Sequence, residues 1–214
     1  FAAPPEKDLD WSEQGVEGAF RFLSRIYRLV APRADALRGI SAGGTYPEAA
    51  RPIRNVTHRT LKKVTGDIED RSHFNTAISA IMEMVNFLYL VPEADWDSAD
   101  HASALKESVD CLLLMLAPFA PHVAEELWER TGHGSMLCLE RWPEFDESAA
   151  REEMIEVVIQ VNGKLRSKLT VAPDTDEAAI RTAALADPKV IEHLAGKPVK
   201  KLVYVPRKLV SIVV

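Results

Sequence analysis

The spacing of apolar residues changes once along this chain, and that change limits the fold more than any other feature. From residue 12 to about residue 132, apolar side chains recur every three or four positions, the period of a helix with one buried face. From residue 155 they recur at every second position, the period of a half-buried strand. Five helices follow from the first pattern. Ser12 is placed to cap the first, with Glu13 in its first turn and Val16, Ala19, Phe20, Leu23, Ile26, Tyr27 and Val30 as its expected apolar face. The glycines and prolines of LRGISAGGTYPEAARP then break the pattern into a loop. The second helix is expected over 53–69, with Ile53, Leu61, Val64 and Ile68 inward, the third from Asn75, and the fourth over 103–116. The fifth opens with Pro121 near its first turn and stops at Gly132. Five amphipathic helices joined by short links make an α-helical bundle.

The period of two begins with IEVVIQV and KLRSKLTV, which flank Asn162-Gly163 and read as the arms of a hairpin. A two-residue Asn-Gly loop would set Val161 against Lys164 and Ile159 against Arg166, mixing apolar and charged residues on both faces. A three-residue loop, Val161-Asn162-Gly163 with Gly163 in a left-handed bulge, instead sets Ile159 against Leu165, Val157 against Ser167 and Ile155 against Leu169. It also sets Glu156 against Lys168 on the other face. Burial favours this second register, and the sequence predicts it. Asp174 and Glu177 have capping-box spacing before an Ala-rich helix, and Asp187-Pro188 opens a short helix ending at Gly196. VKKLVYV and KLVSIVV, around Pro206-Arg207, close the chain as two strands. The order ββααββ is a small α+β domain. The expected organisation is an α-helical bundle over 1–150 and a small basic α+β domain over 151–214, joined near 146–154.

At 47% hydrophobic and 27% charged, the chain has an ordinary globular composition, which excludes a disordered chain. No apolar run approaches the roughly 20 residues of a membrane span. The opening FAAPPEKDLDW lacks the basic region and apolar core of a signal peptide and has no initiator Met, so a fragment or processed product is expected. Cys111 and Cys138 sit in apolar company and read as buried thiols in a reducing, cytoplasmic setting.

The formal net charge of −6 is unevenly distributed. Residues 157–214 carry 10 Lys and Arg against 5 Asp and Glu, whereas residues 1–156 carry 16 against 27. A basic unit on an acidic body suggests a polyanion contact at the C-terminal end. Lys164, Arg166 and Lys168 alternate on one strand and are expected to share a face over about 13 Å, which suits a run of phosphates. Lys197, Lys200, Lys201, Arg207 and Lys208 lie nearby in sequence. Two helical stripes, Arg21/Arg25/Arg28 and Arg59/Lys62/Lys63, are further candidate polyanion contacts, although they read first as solvated helix faces. No active site is legible: there is no GxGxxG or Walker loop, AGGT lacks both the lysine and the preceding strand, and no G-x-S-x-G elbow occurs. His122 and Glu126 have i, i+4 spacing that could hold a metal, but HExxH is absent and no further ligand lies at suitable spacing.

Five segments in this order carry a resemblance: FAAPPEKDLDWSEQGVEGAFRFLSRIYRLV, HRTLKKVTGDIEDRSHFNTAISAIMEMVN, LAPFAPHVAEELWE, VIQVNGKLRSKLTV and KKLVYVPRKLVSIVV. Together they resemble the C-terminal part of bacterial-type leucyl-tRNA synthetases, over the whole chain. APFAPHVAEELW also resembles the isoleucyl, valyl and methionyl relatives, while QVNGKLR and VYVPRKLVSIVV point to the leucyl family. Two positions depart from its pattern: Arg207 stands where Gly is expected, and Ser211 where Asn is expected.

The resemblance implies a class I anticodon-binding helical domain on the stem side of the tRNA. It also implies a small tRNA-binding domain on a flexible tether that docks at the tRNA elbow. Leucylation with ATP and Mg would be carried out by the family's catalytic domain, with His-Ile-Gly-His-like and Lys-Met-Ser-Lys-Ser-like motifs, and editing by an inserted domain. Neither motif occurs here, so the resemblance implies a non-catalytic piece without a cofactor of its own, acting in the cytoplasm. Its expected partners are tRNA-Leu and the catalytic and editing domains of the parent chain, with no membrane contact. Three alternatives remain at this stage: the equivalent region of an isoleucyl- or valyl-type enzyme, a module for an acidic protein partner, and a small metallohydrolase built on His122.

Overall fold

The computed structural model describes residues 8, 10–69, 72–151, 155–173, 175–194, 198–206 and 208–214. The chain divides into two compact units, Phe1–Arg151 and Glu152–Val214.

The first unit is helical. Its elements are α1 (Glu13–Val30), α2 (Ala34–Leu37), α3 (Arg51–Glu69), α4 (Phe74–Leu90), α5 (Glu93–Trp96), α6 (Ala99–Leu116), α7 (Pro121–Arg130) and α8 (Glu147–Ala150). The five long helices are those the apolar period predicts. Ser12 caps α1, its hydroxyl accepting from the Gly15 N–H at 3.2 Å, and Gly132, at φ 99°, follows α7 in the conformation that ends helices. The core forms where α3, α4 and α6 pack. Leu61, Val64, Ile81, Met84, Val85, Leu105, Val109 and Leu112 there are all fully buried, and each such side chain stabilises the fold by about 1.5–3 kcal/mol.

Two expectations change in this unit. The buried stripe of α1 is Phe22, Ile26, Leu29 and Val30, while Val16 and Phe20 stay 48% and 68% exposed. The apolar arc of α1 is wider than the surface its neighbours can cover. Packing against α4 and α7 selects one side of it. Val16, Ala19 and Leu23 of α1 line an apolar groove of about 700 Å³ with Ile78, Met82 and Phe119. The cysteines also part company: both are free thiols, but only Cys111 is buried, its thiol pushed up to about 12 by burial, and Cys138 is exposed.

The second unit contains β1 (Ile155–Val161), β2 (Lys164–Val171), α9 (Glu177–Ala186), α10 (Pro188–Leu194), β3 (Lys201–Val205) and β4 (Leu209–Val213), in the predicted ββααββ order. The sheet order is β2-β1-β4-β3, with β1 and β4 parallel and the other two pairs antiparallel. Val157, Ile159, Val210 and Ile212 form the sheet side of its core against Ile180, Ala184 and Val190 of the helices. Asp176 caps α9 by accepting from the Ala178 N–H at 2.9 Å. The cap is therefore not the predicted Asp174–Glu177 box; Asp174 lies outside the described residues, as does the Gly196 stop of α10. Asp187 caps α10 as expected, accepting from the Lys189 and Val190 N–H groups. The Ser167 hydroxyl also donates to Asp187, at 2.7 Å, and this bond holds the carboxyl below the usual range.

The predicted hairpin register is wrong. Asn162 and Gly163 form a two-residue turn, at φ 50° and 77°, with Val161 opposite Lys164 and Gln160 opposite Leu165. A bulge follows between Ile159 and Gln160, leaving Arg166 as the extra residue. Beyond it Ile159, Val157 and Ile155 face Ser167, Leu169 and Val171. Two consecutive left-handed residues match the twist of a hairpin, which favours the tight Asn-Gly turn. Apolar pairing still requires one extra residue, and the chain places it in β2 rather than in the loop. Gly163 does have the predicted positive φ.

Candidate nucleic-acid interface

The bulge decides where the hairpin cations lie. Residues directly opposite in an antiparallel pair share a face. Lys164, opposite the buried Val161, is therefore on the helix side of the sheet, and Lys168, opposite Val158, is on the open side. The three cations do not form the single row that plain alternation predicts, because one inserted residue inverts the alternation beyond it. Arg166 sits in the bulge, partly buried, with its Nε unpartnered among the described residues.

The open side of the sheet gathers residues that sequence spacing cannot bring together. In successive rows across the strands, Leu165, Gln160, Ser211 and Val203 lie beside Lys168, Val158, Leu209 and Val205, and Lys201 pairs with Val213 at the far edge. Leu165 is 56% exposed, and Val203, Val205 and Val213 are also exposed. The result is an apolar platform with Lys168 and Lys201 at its margin. The sequence signal for it was the alternation in VKKLVYV and KLVSIVV, but the neighbouring of β1 and β4 needs the fold.

Among the described residues, no carboxylate lies within ion-pair distance of Lys164, Arg166, Lys200, Lys201 or Lys208, whereas Lys168 Nζ is 2.7 Å from Glu156 Oε1. That pair is about half exposed, so it contributes only about 0–1 kcal/mol. Lys208 is held in the β3–β4 turn by its backbone, its N–H donating to the Val205 carbonyl and its carbonyl accepting from the Val158 N–H. Lys197 and Arg207 lie outside the described residues, so the Gly-to-Arg departure has no structural account. Ser211, the other departure, faces the platform between Gln160 and Val203.

The helical stripes are differently occupied. Arg21 pairs with Glu17 at 3.0 Å, Lys62 with Glu147 at 2.7 Å and Lys63 with Asp67 at 2.9 Å. Arg25 donates to Asn86 Oδ1 at 2.9 Å and lies 5.0 Å from the Tyr89 ring centroid, and the Tyr89 hydroxyl donates to the Arg25 carbonyl. Arg28 donates to the Ser24 carbonyl. Arg59 is exposed and lines a small groove with Lys63, Glu83 and Phe87. The α3 stripe is thus not an open row of cations: Lys62 and Lys63 are bound by carboxylates.

Deeper in the helical unit the charges are paired and buried. Glu107 of α6 accepts from Arg54 Nε at 2.9 Å and lies 3.3 Å from His58 Nε2. Burial pushes the Glu107 carboxyl up, but hydrogen bonds and charge from His58 and Arg54 outweigh it and hold the group below its usual range. Lys106 places Nζ 2.6 Å from both Asp110 Oδ1 and His133 Nε2, and His133 stacks on Trp128. Both clusters tie separate helical-unit segments together: Arg54 and His58 of α3 to Glu107 of α6, and Lys106 and Asp110 of α6 to His133. His122 is exposed, and among the described residues no group of three His, Cys, Asp or Glu could hold a metal. No helix among the described residues is long and apolar enough to cross a membrane.

Residues 50–181 match the family described as the anticodon-binding domain of tRNA ligase, a match that runs from the helical unit into the sheet unit. The leucine–tRNA ligase of Syntrophobacter fumaroxidans is 51% identical over 217 residues, covering all of this chain and 26% of that protein. The leucine–tRNA ligase of Geobacter sp. strain M21 is 52% identical over 219 residues, with the same shares covered. The chain thus spans about a quarter of the length of these relatives. Among solved structures, the Agrobacterium radiobacter K84 agnB2 LeuRS–tRNA–LeuAMS ternary complex matches with a TM-score of 0.72 and 34% identity, over 96% of this chain and 26% of that one.

Proposed function

The chain belongs to the family of tRNA-ligase anticodon-binding domains, and on that premise we propose that it is the tRNA-guiding C-terminal region of a leucine–tRNA ligase. The identity to leucine–tRNA ligases over the whole chain favours this over the isoleucyl- and valyl-type alternatives. The observation that carries the tRNA-binding role is the set of small-unit cations that have no acidic partner among the described residues. Lys164 and Lys201 stand on strands of a sheet anchored by its own core, with Lys200 just before β3 and Lys208 in the β3–β4 turn. An exposed cation loses little hydration when it meets a phosphate, and each phosphate neutralised releases condensed counterions, so such a surface binds folded RNA through its backbone. The apolar platform beside Lys168 and Lys201 would accept the flat face of exposed bases, whose stacking surface is sequence-tolerant.

In this reading the partners are tRNA-Leu and the rest of the parent chain, in the cytoplasm. The sequence has no glycine-rich phosphate loop, and no described acidic or histidine cluster fits a divalent ion. The ATP and Mg of leucylation are accordingly assigned to the parent's other domains.

The test is a binding titration of the 214-residue chain with tRNA-Leu and with a non-cognate tRNA, followed by competition with an acidic protein. Binding of tRNA that the acidic protein does not displace supports the proposal. Retention of the acidic protein with no tRNA binding would replace it by the protein-partner reading.

A further inference from the structure

Residues 142–151 run back along α3 in one direction, held by a ladder of side-chain contacts. Trp142 Nε1 donates to Thr65 Oγ1 at 2.8 Å. Lys62 Nζ lies 5.5 Å from the Phe145 ring centroid and 2.7 Å from Glu147 Oε2. The Asp146 N–H donates to His58 Nδ1 at 3.2 Å, and Arg54 is 3.3 Å from the Asp146 carboxylate. Last, Asn55 Nδ2 donates to the Ala149 and Arg151 carbonyls, both at 2.8 Å. As the segment advances from 142 to 151, its partners on α3 step back from 65 to 55. A single helical turn such as α8 has no stability of its own. Its cap, Asp146, is tied to α3 twice, and its end is tied by both hydrogens of one amide.

The α3 side chains that do the tying are themselves held from behind. Glu107 takes Arg54 Nε and faces His58 Nε2. His58 thus accepts from the Asp146 N–H at Nδ1, while its Nε2 lies 3.3 Å from Glu107 and 3.0 Å from Arg54 Nη2. Arg54 also covers the Tyr46 ring at 4.0 Å. Lys62, which sequence spacing assigns to an RNA face, is part of this ladder.

We infer that Asn55, supported by Arg54, His58 and Lys62, is a positioning residue that pins the chain at Arg151, so that the basic unit departs from a fixed point on α3 rather than from a loose ten-residue lead. The inference rests on the tRNA-guiding role for its functional consequence. When two RNA-contacting units are linked, the effective concentration of the second falls as about the −3/2 power of the connection's length. Releasing residues 142–151 adds ten residues to a short connection and should weaken tRNA binding roughly five- to tenfold. No cation is lost, so the salt slope of binding stays unchanged.

The experiment uses Asn55→Asp in the full chain, which keeps the shape and replaces two donors with acceptors facing two carbonyls. Glu-specific protease should leave the bonds after Glu144 and Glu147 intact in wild type and cut them at least roughly tenfold faster in the variant, with helical circular dichroism unchanged. tRNA affinity should drop roughly five- to tenfold at constant salt slope. A second pair checks the ladder independently at the bond after Glu144, which every variant keeps: Lys62→Glu should open it, and Lys62→Glu/Glu147→Lys should close it again. Unchanged cleavage at Glu144 and Glu147 in Asn55→Asp overturns the anchor. Faster cleavage with unchanged tRNA affinity overturns the positioning role. If wild type fails to bind tRNA at all, the proposed function fails, while the cleavage pattern still decides the anchor.

Discussion

In the helical unit Lys106 is buried against Asp110 and His133, and Arg54 lies between Glu107 and Asp146. In the small unit Lys164, Lys200, Lys201 and Lys208 stand exposed with no carboxylate beside them among the described residues. Charge therefore plays two parts in one chain. In the first unit it ties elements together inside a large apolar core, where an unpaired ion would be costly. In the second a small core of β-branched residues and alanines holds the fold, and the cations play no part in it that the described residues show. A count of basic residues along the sequence cannot distinguish the two, because both units contain them.

The largest expected effects come from the cores. Leu105→Ala should cost about 2–5 kcal/mol and speed hydrogen exchange throughout α3, α4 and α6, while leaving the small sheet protected. Ile159→Ala should cost a similar amount, and because the small core has little else, it should remove protection from all four strands and spare α6. Exchange changes that spread equally through both units in either variant would break the comparison.

Next in size are the partly buried charges. Glu107→Ala takes one carboxylate from Arg54, which keeps only Asp146, and should cost about 1–3 kcal/mol, by denaturant melt. Its carboxyl is held below the usual range, and so is that of Asp146, chiefly by hydrogen bonds from the Ser148 hydroxyl and the Ala149 N–H. A depressed carboxyl contributes stability that is full above its unfolded pKa and is lost as pH falls through its folded pKa. The helical unit should thus keep its stability at neutral pH and lose it below about pH 4. Glu107→Gln should flatten that acid limb; a variant with an acid limb as steep as wild type would contradict the assignment.

Smaller still is the hairpin turn. With Gly163 at φ 77°, Gly163→Val should destabilise the small unit by about 1–2 kcal/mol. Nuclear Overhauser contacts should join Val161 to Lys164 and Ile159 to Ser167. Smallest is Lys168→Ala, which should change the salt slope of tRNA binding less than Lys201→Ala does, because Lys168 already has Glu156 as a partner.

What was legible in the sequence follows from how local each cause is. The five long helices, the Ser12 cap, the Gly132 stop and the ββααββ order depend on residues a few positions apart. The buried side of α1 was misplaced because Val16 and Phe20 extend its apolar arc beyond what α4 and α7 cover. The hairpin register failed because the sequence shows that one extra residue is needed but not whether the loop or the strand takes it. Among the candidate cations, the Lys63–Asp67 pair has i, i+4 spacing and could have been anticipated. Lys62–Glu147 spans 85 positions and could not. The platform around Leu165 and Val203 likewise depends on β1 pairing with β4, and no local pattern reports that pairing.

The proposed function requires the charge that meets tRNA to lie in the small unit. The direct measurement is the slope of log K against log salt for tRNA binding to two paired variants that each lose two cations. Lys201→Ala/Lys208→Ala should reduce the slope by roughly 2, and Arg21→Gln/Lys63→Gln, whose cations already have carboxylate partners, by well under about 1. Equal reductions in the two variants, or a larger one in the helical pair, would contradict the account.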